Sequence, residues 1–169
     1  GSSEQSTSSL SGTIVENKWV HIVTTVSSNG LKIYINGTQS GNGNATNYTP
    51  NELIRSNCFI GRSNWNSPSH SDKGFTGSVA YVRIWDGAEL TPNDVSYLYD
   101  NRNITNLNHP VNLTGLQLWF DATNIDGQYN ETLTDGDKLH IWNDSRYYSS
   151  YDNSTRHYAE LQKDIILSV

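Results

Sequence analysis

The sequence predicts an all-β chain of antiparallel strands with one short helix near residues 92–99. Three observations carry this. β-branched and aromatic residues alternate with period 2 in the runs 19–26, 31–35 and 77–85. Asn29-Gly30 and Asn36-Gly37 punctuate those runs, and only the stretch holding Val95, Leu98 and Tyr99 has apolar residues at helical spacing. Period 2 places alternate side chains on opposite faces of a strand, whereas a helix face needs spacings of three and four. A chain of 169 residues is long enough for one sizeable core.

Taken in order, residues 1–12 are Ser-rich and read as a linker or unstructured end. Trp19 to Val26 reads as the first strand, with Val20, Ile22 and Val26 on one side. Asn29-Gly30 supplies the positive-φ turn of a hairpin whose second strand alternates Leu31, Ile33 and Ile35 against Lys32 and Tyr34. Asn36-Gly37 turns the chain again, and a polar loop runs to about Asn51 before a short strand at Cys58–Gly61. Arg62 to Gly74 reads as a second polar loop, and Gly77 to Trp85 as a long strand covered on both faces.

Thr91-Pro92-Asn93-Asp94 has the marks of a helix start: a hydroxyl cap, proline at the first helical position and a carboxylate at the third. The segment 103–114 reads as a linker between 13–102 and 115–169. Strand character returns at Gly115–Phe120 and, after the Asp135-Gly136-Asp137 turn, at Lys138–Trp142, 159–161 and 165–167.

Composition narrows the function. With 11 Lys+Arg against 17 Asp+Glu the chain carries a formal charge of −6 and lacks the basic surface that a nucleic acid partner requires. No apolar run is long enough for membrane insertion. The single Cys58 forms no intrachain disulfide and reads as a buried thiol. Asn-x-Ser/Thr sequons occur at Asn36, Asn44, Asn47, Asn103, Asn112, Asn130, Asn143 and Asn153.

The spaced series Asn17-Lys18-Trp19-Val20-His21-Ile22, Leu31 to Gly37, Phe59-Ile60-Gly61-Arg62, Phe75 to Val79 and Val82-Arg83-Ile84-Trp85 resembles the laminin G-like family. The resemblance covers roughly residues 14–100, the later half of such a module. It implies a concanavalin A-like antiparallel β-sandwich, a jelly roll, from a protein that is extracellular, at the cell surface or on a virion surface. Gly115 to Ala122 and Ile141 to Asp144 resemble the opening strands of one, so the halves come in reversed order. Two tandem modules are the preferred arrangement, and a single permuted sandwich is the other.

Glycoside hydrolases of this jelly roll place two carboxylates a few residues apart on one strand. No strand read from the sequence carries that pair, and Glu131 with Asp135 falls in a loop, so no enzymatic activity is expected. The resemblance makes calcium a candidate, with Asp121, Asn124 and Asp126 as oxygen ligands on a rim loop. For sugars, an aromatic face for stacking and planar polar groups for hydroxyls are offered by Asn64, Trp65, Asn66, His70 and Asp72. Trp19, Trp85, Trp119 and Trp142 are assigned to the core.

The expected function is a non-catalytic module that binds a glycan or glycoprotein surface beside neighbouring protein modules or chains. The alternative is a structural component of a multi-chain assembly such as a large virus particle.

Overall fold

The structure, a computed structural model, describes residues 7–42, 58–61, 66–67, 70–71, 74–102, 113–125, 130, 133–134, 138–143 and 158–166. Strands β1 (Ile22–Ser27), β2 (Gly30–Ile35) and β3 (Thr38–Asn42) form an antiparallel sheet in that order. Asn36-Gly37 acts as the sequence requires, whereas the first turn is Ser28-Asn29, with Gly30 already the first residue of β2, opposite Ser27. Gly30 has φ 103°, while Asn36 and Gly37 have φ 50° and 81°, the pair of positive values that matches a two-residue turn to the twist of its strands.

The register of β1 against β2 pairs Ile22 with Ile35, Thr24 with Ile33 and Val26 with Leu31, alternating with Val23–Tyr34 and Thr25–Lys32. The face holding Tyr34 is the covered one: Tyr34 is buried, as is Thr25, whereas Ile22 and Val26 are 52% and 42% exposed. The period is the one expected. The face of β1 that is covered is the opposite one, because the helix docks on the Tyr34 side.

That helix, α1 (Pro92–Asp100), starts as the sequence predicts. Thr91 Oγ1 accepts from the Asp94 amide at 3.2 Å, and the Asp94 carboxylate accepts from the Thr91 amide at 2.8 Å, which satisfies two N-terminal donors reciprocally. Its buried face, Val95 and Leu98, joins Tyr34 and Leu90 in one cluster flanked by Val23, Trp85 and Leu113. Full burial of each such aliphatic side chain contributes about 1.5–3 kcal/mol.

Glu89, just before the helix, fastens this layer to the hairpin. Its carboxylate accepts from Thr25 Oγ1 at 3.2 Å, Ser27 Oγ at 2.6 Å and Lys32 Nζ at 2.6 Å. A carboxylate with three donors on two strands fixes the docking angle as well as the distance.

The very short strands β4 (Asn66–Ser67) and β5 (His70–Ser71) pair antiparallel. Strand β6 (Tyr81–Trp85) pairs antiparallel with β7 (Leu116–Asp121), from Tyr81 opposite Asp121 to Trp85 opposite Leu116. Asp86 N–H to Gly115 O and Ala122 N–H to Ala80 O, both 2.8 Å, extend the ladder at its ends. This sheet joins residues from the two sides of segment 103–114. A 3₁₀ turn (Ala122–Asn124) follows β7, and β8 (Lys138–Asn143) pairs with β9 (Tyr158–Ile166). The chain is therefore an all-β, antiparallel sandwich-class fold with one short helix.

Several expectations are corrected. The first strand begins at Ile22, and Trp19 lies ahead of it, 71% exposed and outside the core. Trp119 is buried, whereas Trp85 and Trp142 are half-buried. Cys58–Gly61 is not a strand, and Cys58 is exposed. The expected long strand at 77–85 is confined to Tyr81–Trp85, where Ile84 is half exposed. The two short strands expected at 159–161 and 165–167 are one continuous strand, β9.

Candidate functional site

Among the residues expected to contact a sugar, Asn66 and His70 lie on β4 and β5. Asn66 pairs with Ser71 and Ser67 with His70, so the two residues occupy adjacent rungs of one tight hairpin. Asn64, Trp65 and Asp72 lie outside the described residues.

Of the calcium candidates, Asp121 is held inside its own turn. Its Oδ1 accepts from the Thr123 amide at 2.9 Å and from Thr123 Oγ1 at 2.7 Å, and Oδ2 accepts from the Trp119 indole at 3.2 Å. This is the N-cap of the 3₁₀ turn, a role that needs no cation. The backbone of Asn124 closes that turn, and Asp126 lies outside the described residues. Among the described residues no group of three or more His, Cys, Asp or Glu is placed to hold a metal ion. Asp121 is the one calcium candidate whose side chain is described, and both of its oxygens accept hydrogen bonds from Thr123 and Trp119.

The expectation that no strand carries two nearby carboxylates is corrected by β9, which holds Glu160 and Asp164 on one strand. The ladder against β8 slips in that stretch: Leu139 pairs with Ile165 but Ile141 with Glu160. An even spacing places two residues on one face only where the pleat is regular. The spacing of Glu160 and Asp164 therefore does not define a catalytic pair.

Glu89, Lys32, Leu90, Thr91 and Pro92 line a shallow depression of about 220 Å³. The donors on Glu89, Lys32 and Ser27 first among them, hold its carboxyl down to about pKa 2. Such a group stays ionised and bonded near neutrality, unlike a general acid or base poised for proton transfer.

A further cluster of aromatic and titratable side chains lies beside β1, β6 and α1. His21, 8% exposed, stands between the rings of Tyr81 and Tyr99, with centroids at 6.1 and 5.8 Å. The Arg83 guanidinium lies 4.0 Å over the Tyr81 ring and 5.2 Å over Trp119, its partner across the β6–β7 ladder. Arg102 covers Tyr99 at 3.9 Å and donates to the Tyr99 carbonyl at 2.6 Å. Burial first, then the positive charges of Arg83 and Arg102, push the His21 imidazole down to about pKa 4. Its Nδ1 is buried without a hydrogen-bond partner among the described residues.

The cluster draws its rings and guanidinium groups from segments far apart in the chain and so links those elements. Sequence reasoning had no signal for it, because its members are brought together by the β6–β7 pairing and the docking of α1. Trp19 was also missed as a surface residue. The turn ahead of it was the available signal: Asn17 has φ 59°, a conformation that breaks a strand.

Comparison with known proteins gives one positive finding. A laminin G-type family model, described as the concanavalin A-like lectin/glucanases superfamily, matches residues 1–96. No curated protein and no solved structure gives a match. The match spans more than half of the chain and takes in the β1–β2–β3 sheet, β6 and the start of α1. This chain belongs to the concanavalin A-like lectin/glucanase superfamily.

Proposed function

We propose that the chain is a non-catalytic binding module for glycans or a glycosylated surface, within a larger extracellular, cell-surface or virion-surface protein. The observation that carries this reading is Trp19, whose indole is 71% exposed at the entry to β1. A bare indole face stacks on the C–H face of a pyranose, and the indole N–H serves a hydroxyl. The hairpin that carries Asn66 and His70 is a second contact region under this reading, with Trp65 beside it in sequence.

The test is a glycan-array screen of the protein with and without calcium, beside the Trp19→Ala and Trp65→Ala variants. Binding that either variant loses while remaining folded supports the reading and locates the contact. A folded protein that binds no glycan refutes it.

A second reading, a structural component of a multi-chain assembly, is favoured by the exposed apolar side chains of Ile22, Val26, Ile84 and Ile141. Large apolar side chains left in water on sheet faces favour association with neighbouring modules or chains. Concentration-dependent association in sedimentation, together with a blank glycan array, is the result that selects it.

A further inference from the structure

Two of the eight sequons have described asparagine side chains, and they differ in what the fold does with the amide. Asn36 is the first residue of the turn between β2 and β3 and is exposed, as is Thr38, the hydroxyl residue of its sequon. Its Oδ1 accepts from the His21 amide at 3.0 Å, and its own amide donates to the His21 carbonyl at 2.9 Å. No hydrogen bond engages its Nδ2 among the described residues. The inner side of the turn is occupied elsewhere: a Cβ on Gly37 would lie 3.1 Å from the Tyr99 side chain. The turn therefore packs through Gly37 and presents Asn36 to solvent.

Asn130 is the opposite case. Its Oδ1 accepts from the Ile125 amide at 2.7 Å and its Nδ2 donates to the Ala122 carbonyl at 2.9 Å. The side chain is half-buried and ties residue 130 to the 3₁₀ turn. A sugar on that nitrogen would have to sit beside the Ala122 carbonyl in partly buried space.

We propose that Asn36 is an N-glycosylation site that the folded chain accommodates, and that Asn130, despite its sequon, is not. The donor is a lipid pyrophosphate-linked oligosaccharide. The Asn36 amide nitrogen forms a bond to the anomeric carbon as the carbon–oxygen bond to pyrophosphate breaks. The lipid pyrophosphate leaves with that electron pair, and the nitrogen gives up one proton. The carbonyl oxygen is untouched, so the bond from the His21 amide persists in the glycosylated chain. At Asn130 the modified atom is itself a structural donor.

This assignment rests on the extracellular or surface location proposed above, and the experiment supplies that location. The chain is expressed in animal cells behind a secretion signal, and the folded, secreted protein is digested and mapped by mass spectrometry with and without peptide N-glycosidase. The expected result is glycan on Asn36 in most molecules and an unmodified Asn130. Thr38→Ala, which leaves both Asn36–His21 bonds in place, should lose one glycan's worth of mass. Thr38→Ser, which keeps the sequon, should retain it, and Thr132→Ala should change nothing. A bare Asn36 in the secreted protein, or an Asn130 modified as fully as Asn36, overturns the assignment. Failure here leaves the glycan-binding reading standing, since that is decided by the array.

Discussion

Acidification is expected to destabilise the fold through His21 at a higher pH than through Glu89. The imidazole is held at about pKa 4 in the folded chain against 6.5 when unfolded, by burial first and then by Arg83 and Arg102. Above pH 6.5 it is neutral in both states and contributes no pH dependence. Between 6.5 and about 4 the unfolded chain takes up a proton that the folded chain refuses, so stability falls with falling pH. Below about 4 both states are protonated and the loss is complete. At about 1.4 kcal/mol for each pH unit between the two values, the full effect is about 3 kcal/mol, most of it reached by pH 4.5. Against a typical domain stability of about 5–15 kcal/mol this is a large fraction.

The assay is urea unfolding followed by tryptophan fluorescence at pH 7, 5.5 and 4.5, for the parent and for His21→Phe. The aromatic replacement keeps a ring between Tyr81 and Tyr99 and removes both the titration and the unpartnered Nδ1. Its stability should fall by about 3 kcal/mol less than the parent's over this range. An equal slope in parent and variant, or an imidazole titrating near 6.5 in the folded protein, refutes the reasoning.

Two further predictions concern the fastenings of the fold. Glu89→Gln should cost about 1 kcal/mol near neutrality, the scale of a partly solvated ion pair with its hydrogen bonds. Because the carboxyl of Glu89 is depressed from 4.5 to about 2, its contribution is present above pH 4.5 and lost as pH falls through 2, a window below that of His21 and absent in the variant. Gly115→Ala should destabilise by at least about 1–3 kcal/mol in thermal or urea unfolding. Gly115 has φ 93°, and a Cβ there would collide with the carbonyl oxygen of Asp86, the residue whose amide donates to the Gly115 carbonyl at the end of the β6–β7 ladder. Unchanged stability in that variant would show that the ladder is not closed there.

What the sequence determined by itself is the chemistry that acts within about four residues. Thr91-Pro92-Asn93-Asp94 starts a helix because a hydroxyl and a carboxylate three apart reach each other's amides, whatever lies beyond. Asn36-Gly37 makes a hairpin because few other pairs tolerate positive φ at both positions, Gly30 supplies the one positive φ at the end of the first turn, and the alternation in β1 and β2 follows from the pleat. The spaced strand motifs also sufficed for the superfamily. The tertiary structure alone decided which face of the hairpin is covered, since a period-2 pattern marks two faces and α1 selects one. It likewise decided that β7 pairs with β6 across residues 103–114, that His21 is enclosed by Tyr81, Tyr99 and the two arginines, and that Trp19 stays in water. Each of these depends on contacts between residues far apart in the chain, whose free energy is fixed by packing and burial rather than by local conformational preference.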